Sequence, residues 1–177
     1  MVTTETLASY LKEQILAERM CAARMNRVLE SHVLNDIDRR DLEGLVEDEK
    51  HHAEWLVGHQ ASYPKSGDYP GTWPESIFEH VQLLRDLSPE QMIVTIYLPE
   101  RFAVRTINRQ AEVFRDSGDQ IGAALYTQIL GEERRHVDVT GRIMRNLLEL
   151  PEVRDFYHRA VARGFRKYHF DFLRSRA

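Results

Sequence analysis

The chain has 177 residues, 42% of them hydrophobic and 29% charged, with a net charge of -4. That length suits one domain with a sizeable core, and the single cysteine, Cys21, excludes an intramolecular disulfide framework and any Cys-x-x-Cys metal module. No apolar run approaches the roughly 20 residues that span a bilayer, and the first residues lack a basic and then apolar leader, so a cytoplasmic location is expected.

From Thr4 to about Leu34, residues Leu7, Leu11, Ile15, Ala22, Met25 and Leu29 mark one stripe of a long helix. Glu18 falls inside that stripe, where a charge needs a reason. Asn35-Asp36-Ile37-Asp38 reads as a turn and N-cap, and a second helix runs to about Tyr63 with Leu42, Leu45, Glu49, His52 and Leu56 inward. Pro64, Gly67, Asp68, Pro70, Gly71 and Pro74 make a breaker-rich loop, expected to cross over to a second helix pair, with a short helix from Pro74 to Asp86.

Ser88-Pro89-Glu90-Gln91 is a capping box that starts a third core helix, which runs to about Asp116. Pro99 lies within it, directly before Glu100, and predicts irregular backbone beside that carboxylate. Ser117-Gly118-Asp119 turns the chain into a fourth helix that ends near Leu148, with Gly122, Tyr126, Ile129, Glu133, His136 and Ile143 inward. From Pro151 to about residue 174 a fifth helix carries aromatic residues and more Lys and Arg than Asp and Glu. Its expected role is packing on the bundle or across a homodimer; binding RNA or an anionic substrate is the sharper alternative. The expectation is one all-α domain over residues 1–177, with the four-helix core over about 4–148.

Two stretches carry the chemistry. Asp48-Glu49-Lys50-His51-His52 and Glu132-Glu133-Arg134-Arg135-His136 each contain Glu-x-x-His, which on a helix points a carboxylate and an imidazole the same way. With 17 Glu and 8 His, random placement yields roughly one such match, so the motif alone decides little. Level along the bundle decides more. Glu18 lies 18 residues before a turn at Asp36 and Glu100 lies 18 before Gly118, while Glu49 and Glu133 lie 13 and 15 residues after those turns. In antiparallel helices rising about 1.5 Å per residue, Glu18, Glu49, His52, Glu100, Glu133 and His136 then meet. Glu112 and Glu30 miss that level.

One Glu from each of two helices plus Glu-x-x-His from each of the others is the ligand set of dinuclear metal bundles. Four carboxylates cancel two divalent cations, and oxygen ligands mixed with imidazole suit iron or manganese rather than structural zinc. Without metal the carboxylates would raise one another's pKa and bind protons.

These motifs resemble the ferritin-like di-iron carboxylate superfamily. The stretch from Glu100 through Ser117-Gly118-Asp119 to Glu133-x-x-His136 looks most like an uncharacterised bacterial ferritin-like family related to the di-iron tRNA hydroxylase. The resemblance implies a ferritin-like four-helix bundle with a long crossover loop, and the six residues as ligands of two iron ions, or of manganese or a mixed pair. Glu18 and Glu100 would be terminal or bridging ligands, and Asp48 and Glu132 would hydrogen-bond the outward nitrogens of ligand histidines. His51 stands in the first motif where the second has Arg135.

The implied function is an oxidase or oxygenase that activates O2 and hydroxylates or oxidises a small organic or RNA-linked substrate, using an external electron donor. The alternative is a peroxide-reducing or iron-handling protein of rubrerythrin or ferritin type, and a metal-stabilised binding protein is the third class. Tyr97 and Tyr126 are expected to be core tyrosines with satisfied hydroxyls, His59 a structural histidine, and Cys21 a small apolar residue.

Overall fold

A computed structural model describes residues 3–63 and 85–162, which form five helices and no strand: α1 (Thr4–Leu29), α2 (Asp36–Gln60), α3 (Pro89–Asp116), α4 (Gln120–Leu147) and α5 (Pro151–Ala162). Four starts follow from side chains that accept otherwise unpaired N–H groups: Thr3 from Thr6, Asn35 from Asp38, Ser88 from Gln91 and Asp119 from Gly122. At Ser88 the return bond from Gln91 completes the capping box. The first helix ends at Leu29, five residues before the expected Leu34. Arg39 of α2 reaches back to the carbonyls of Leu29 (2.6 Å) and Ser31 (2.8 Å), so the chain leaves the helix with its terminal acceptors satisfied.

α1 packs mainly on α2 and α3 on α4; α1 also lies against α3, α2 against α4, and α5 rests on α3. The cross-links give directions. Along α1 and its C-terminal turn, Cys21, Arg24 and Ser31 bond in turn to Glu100, Thr95 and Glu90, so α1 and α3 are antiparallel. Asp38 and Asp41 hold Arg142, Asp48 meets His136 and His59 meets Asp119, so α2 and α4 are antiparallel too. Since α1 and α2 are joined by a tight turn and oppose each other, α2 and α3 run parallel. Tyr63, bonded to Asp119, and Glu90, bonded to Ser31, therefore lie at opposite ends of the bundle. The expected crossover loop, the expected short helix apart from Arg85 and Asp86 (which lie in a turn), and the fifth helix beyond Ala162 fall outside the described residues.

The apolar core comes in two parts. One gathers Met25, Val28, Leu42, Leu45, Ile93, Ile96, Ile143 and Leu147, and α5 adds the fully buried Val153 to it. The other gathers Leu7, Leu11, Leu56, Ile107, Phe114, Tyr126 and Ile129. Each such Leu or Ile stabilises the fold by about 1.5–3 kcal/mol, and the polar cluster lies in sequence and in space between the two parts.

α3 passes through Pro99 as continuous α-helix, where irregular backbone was expected. Proline at 99 removes the N–H that would bond the Thr95 carbonyl, and Arg24 Nη1 supplies that bond instead at 2.8 Å. The α3–α4 turn needs Gly118, whose φ of 89° lies in the left-handed region. Just beyond it, Asp119 accepts from Gly122 N (2.8 Å), His59 Nε2 (2.7 Å) and the Tyr63 hydroxyl, clamping the end of α2 to the start of α4.

Gly122 packs so closely there that an added methyl would enter the Phe114 ring and lie 2.6 Å from Asp119 Oδ2. Gly122→Ala is therefore expected to cost about 1–3 kcal/mol, read as a lower urea midpoint at unchanged slope.

Candidate metal centre

Glu18 on α1, Glu49 and His52 on α2, Glu100 on α3, and Glu133 and His136 on α4 converge midway along the bundle, each at most 4% exposed. They form two overlapping groups. Glu18, Glu49, His52 and Glu133 each offer one atom to a set lying within 4.8 Å of one another, and Glu49, Glu100, Glu133 and His136 form a second such set. Glu49 and Glu133 belong to both. Glu18 and Glu100 each belong to one, so the glutamates of Glu-x-x-His are the pair common to both.

The histidine rings face both ways. Nδ1 of His52 lies 3.3 Å from Glu18 and 3.8 Å from Glu133; Nδ1 of His136 lies 3.0 Å from Glu49 and 3.8 Å from Glu133. The outward nitrogens meet acids: His52 Nε2 is 3.0 Å from Glu132, and His136 Nε2 is 3.2 Å from Asp48. In the neutral ring with its Nε2–H donating outward, Nδ1 directs a lone pair at the cluster, whereas the His52 cation donates from both nitrogens. The pairing crosses the two halves, since Asp48 of α2 serves the histidine of α4 and Glu132 of α4 serves that of α2. Arg135 closes on Asp48, whereas His51 stacks beside Trp55 at 6.3 Å and leaves the Glu132 partnership intact.

Charge in this cluster is strained. Burial, and then the neighbouring carboxylates, push Glu49 well above the ordinary carboxylate range, and Glu133 likewise. Burial works the same way on Glu18, but hydrogen bonds from Glu49, His52 and Gln14 outweigh it and hold its pKa down. Burial disfavours the His52 cation, yet bonds to Glu18 and Glu132 raise its pKa overall.

Three buried atoms of the cluster, Glu49 Oε1, Glu133 Oε2 and His136 Nδ1, have no hydrogen-bond partner among the described residues. An unpaired buried polar atom costs about 1–3 kcal/mol, and a cation among these three would satisfy all of them. Ligands about 2.0–2.2 Å from an ion are at most about 4.4 Å apart across it, so sets spanning 4.8 Å close on an ion with shifts of tenths of an ångström. The donor set fits two divalent ions, and Glu18, Glu49, His52, Glu100, Glu133 and His136 would hold them.

Other candidates lie elsewhere. Glu112 accepts from Asn108 and Glu30 pairs with Arg27, both at the surface. His59 belongs to the Asp119 clamp. Tyr97 sits on the α3–α4 seam against Gly141, with Arg101 over its ring at 5.7 Å. Tyr126 stacks on Phe114 at 4.9 Å, but its hydroxyl is buried with no partner among the described residues, against the expectation of a satisfied core tyrosine. Sequence reasoning also missed Cys21 and Arg24. The thiol of Cys21 donates to Glu100 at 2.8 Å rather than serving only as apolar filler, a contact that its place three residues after Glu18 hinted at.

Compared with models of known protein families, with curated proteins and with solved structures, the chain matches none. Among the described residues no helix is long and apolar enough to cross a membrane.

Proposed function

We propose that the chain is a ferritin-like dinuclear carboxylate enzyme that binds two iron ions, or manganese or a mixed pair, and uses O2 to hydroxylate or oxidise an organic or RNA-linked substrate. The observation that carries this reading is the pair of four-residue sets sharing Glu49 and Glu133. Support for the ferritin-like arrangement comes from the parallel α2 and α3, which require a connection running the length of the bundle.

When bound, a reduced iron pair supplies electrons to O2 and the power to oxidise an unactivated C–H bond. The protein's own residues do the rest. Glu49 and Glu133, common to both four-residue sets, would help hold both ions, Glu18 with His52 and Glu100 with His136 would complete the two sets, and Glu132 and Asp48 orient the two histidine rings. The apolar layers on either side keep water from the centre. Electrons would come from a donor outside these 177 residues, whose one cysteine cannot build a four-thiolate iron site.

The test is oxygen uptake by ferrous-loaded protein given a chemical reductant. Continued uptake by the wild type, lost in Glu100→Ala and kept in Glu112→Ala, is the expected result. Iron retained well beyond two ions per chain, or rapid peroxide consumption, would transfer the reading to an iron-handling or peroxide-reducing protein. Metal bound with no oxygen uptake would leave a metal-stabilised binding protein.

A further inference from the structure

Arg24 is a cation in an unusual place. It is 6% exposed, on α1, and its Nη1 donates to the Thr95 carbonyl across the α1–α3 interface. That carbonyl is available because Pro99, four residues on, has no N–H. The residue after Pro99 is Glu100, whose carboxylate accepts from Cys21, one turn before Arg24 on the same helix. One turn of α1 thus grips α3 on both sides of the proline, by a guanidinium on the backbone and a thiol on the carboxylate. Burial disfavours the Arg24 charge, and the carboxylates of Glu100 and Glu49 are among the groups that favour it, which places the guanidinium within electrostatic reach of the cluster. A guanidinium stays protonated in such surroundings.

We propose that Arg24 is a positioning residue of the metal centre: by holding the carbonyl that Pro99 leaves without an intrahelical donor, it fixes the turn of α3 that carries Glu100. This rests on the dinuclear reading above. It makes Pro99 and Arg24 a functional pair, the first opening an acceptor within the helix and the second filling it from the neighbouring helix. The consequence is one-sided, because Glu100 belongs to the set with His136 and not to the set with Glu18 and His52.

The experiment is a manganous-ion titration of the whole chain, followed by calorimetry, for wild type, Arg24→Met, Pro99→Ala and the double variant, with thermal unfolding of each metal-free protein as the folding control. Arg24→Met is expected to weaken the ion on the Glu100–His136 side about 10–100-fold and leave the other within a few-fold. The double variant, whose residue 99 again donates to Thr95, is expected to recover the affinity of Pro99→Ala alone.

Equal weakening of both ions in Arg24→Met, or no recovery in the double variant, would overturn the proposal while leaving the dinuclear site standing. No binding by the wild type would overturn both. If Arg24→Met does not fold, the double variant decides: two ions bound at the affinity of Pro99→Ala uphold the pairing, and loss of one ion sinks it.

Discussion

Glu133→Ala is expected to bind neither ion, whereas Glu18→Ala and Glu100→Ala each keep about one and Glu112→Ala keeps about two, by elemental analysis after ferrous or manganous loading and desalting. The graded outcome follows from the geometry. Glu133 is common to both four-residue sets, Glu18 and Glu100 each belong to one, and Glu112 is an exposed residue bonded to Asn108. Glu49→Ala should behave as Glu133→Ala does. No stable metal in the wild type, or equal loss from Glu100→Ala and Glu112→Ala, would end the dinuclear reading. Metal-free Glu133→Gln is expected to be no less stable than metal-free wild type, because it removes a carboxylate that burial and its neighbours already press toward the protonated form.

The second large effect is a reversal of pH dependence on metal removal. In the chelated protein Glu49 and Glu133 titrate above their ordinary value of 4.5 and His52 above 6.5. A group whose folded pKa is raised contributes stability that is full below its unfolded pKa and is lost as pH rises through the folded one. Glu18 has the opposite sign, and its contribution disappears only as pH falls below about 4.5. As pH rises above about 4.5 for the two glutamates and above about 6.5 for His52, the metal-free protein should therefore lose thermal stability. Metal ions compete with those same protons, so the loaded protein gains with pH over that range. At an ion concentration about 100-fold above Kd the gain is about 2.7 kcal/mol, or roughly 5–10 °C in Tm. Parallel pH profiles with and without chelator would show that the cluster does not exchange protons for metal.

That the six side chains meet could be worked out along the chain, for a simple reason. Helical rise and the two tight turns at Asn35 and Gly118 convert residue number into height, and the i, i+3 spacing puts Glu49 with His52 and Glu133 with His136. The apolar stripes of α1 to α4 and the capping box at Ser88 were equally local. Asp48 and Glu132 are named as partners of histidines only through the family resemblance, not from spacing. Which histidine each serves could not be named from the sequence, because that depends on how far α2 and α4 are rotated about their axes.

The same limit hid the rest. The Leu29 carbonyl at the end of α1 is met by Arg39 from the next helix, and the Thr95 carbonyl that Pro99 leaves free by Arg24 from the first. Tyr126 read as a core tyrosine because its spacing is right, yet spacing carries no information on whether a hydroxyl finds a partner. By itself the sequence determined the four long helices α1 to α4, their order and the height of the six clustered side chains, since those follow from periodicity and caps within a few turns of chain. Only the tertiary structure decided which donor meets which acceptor across helices, because a hydrogen bond tolerates tenths of an ångström and residue counting resolves only about one helical turn.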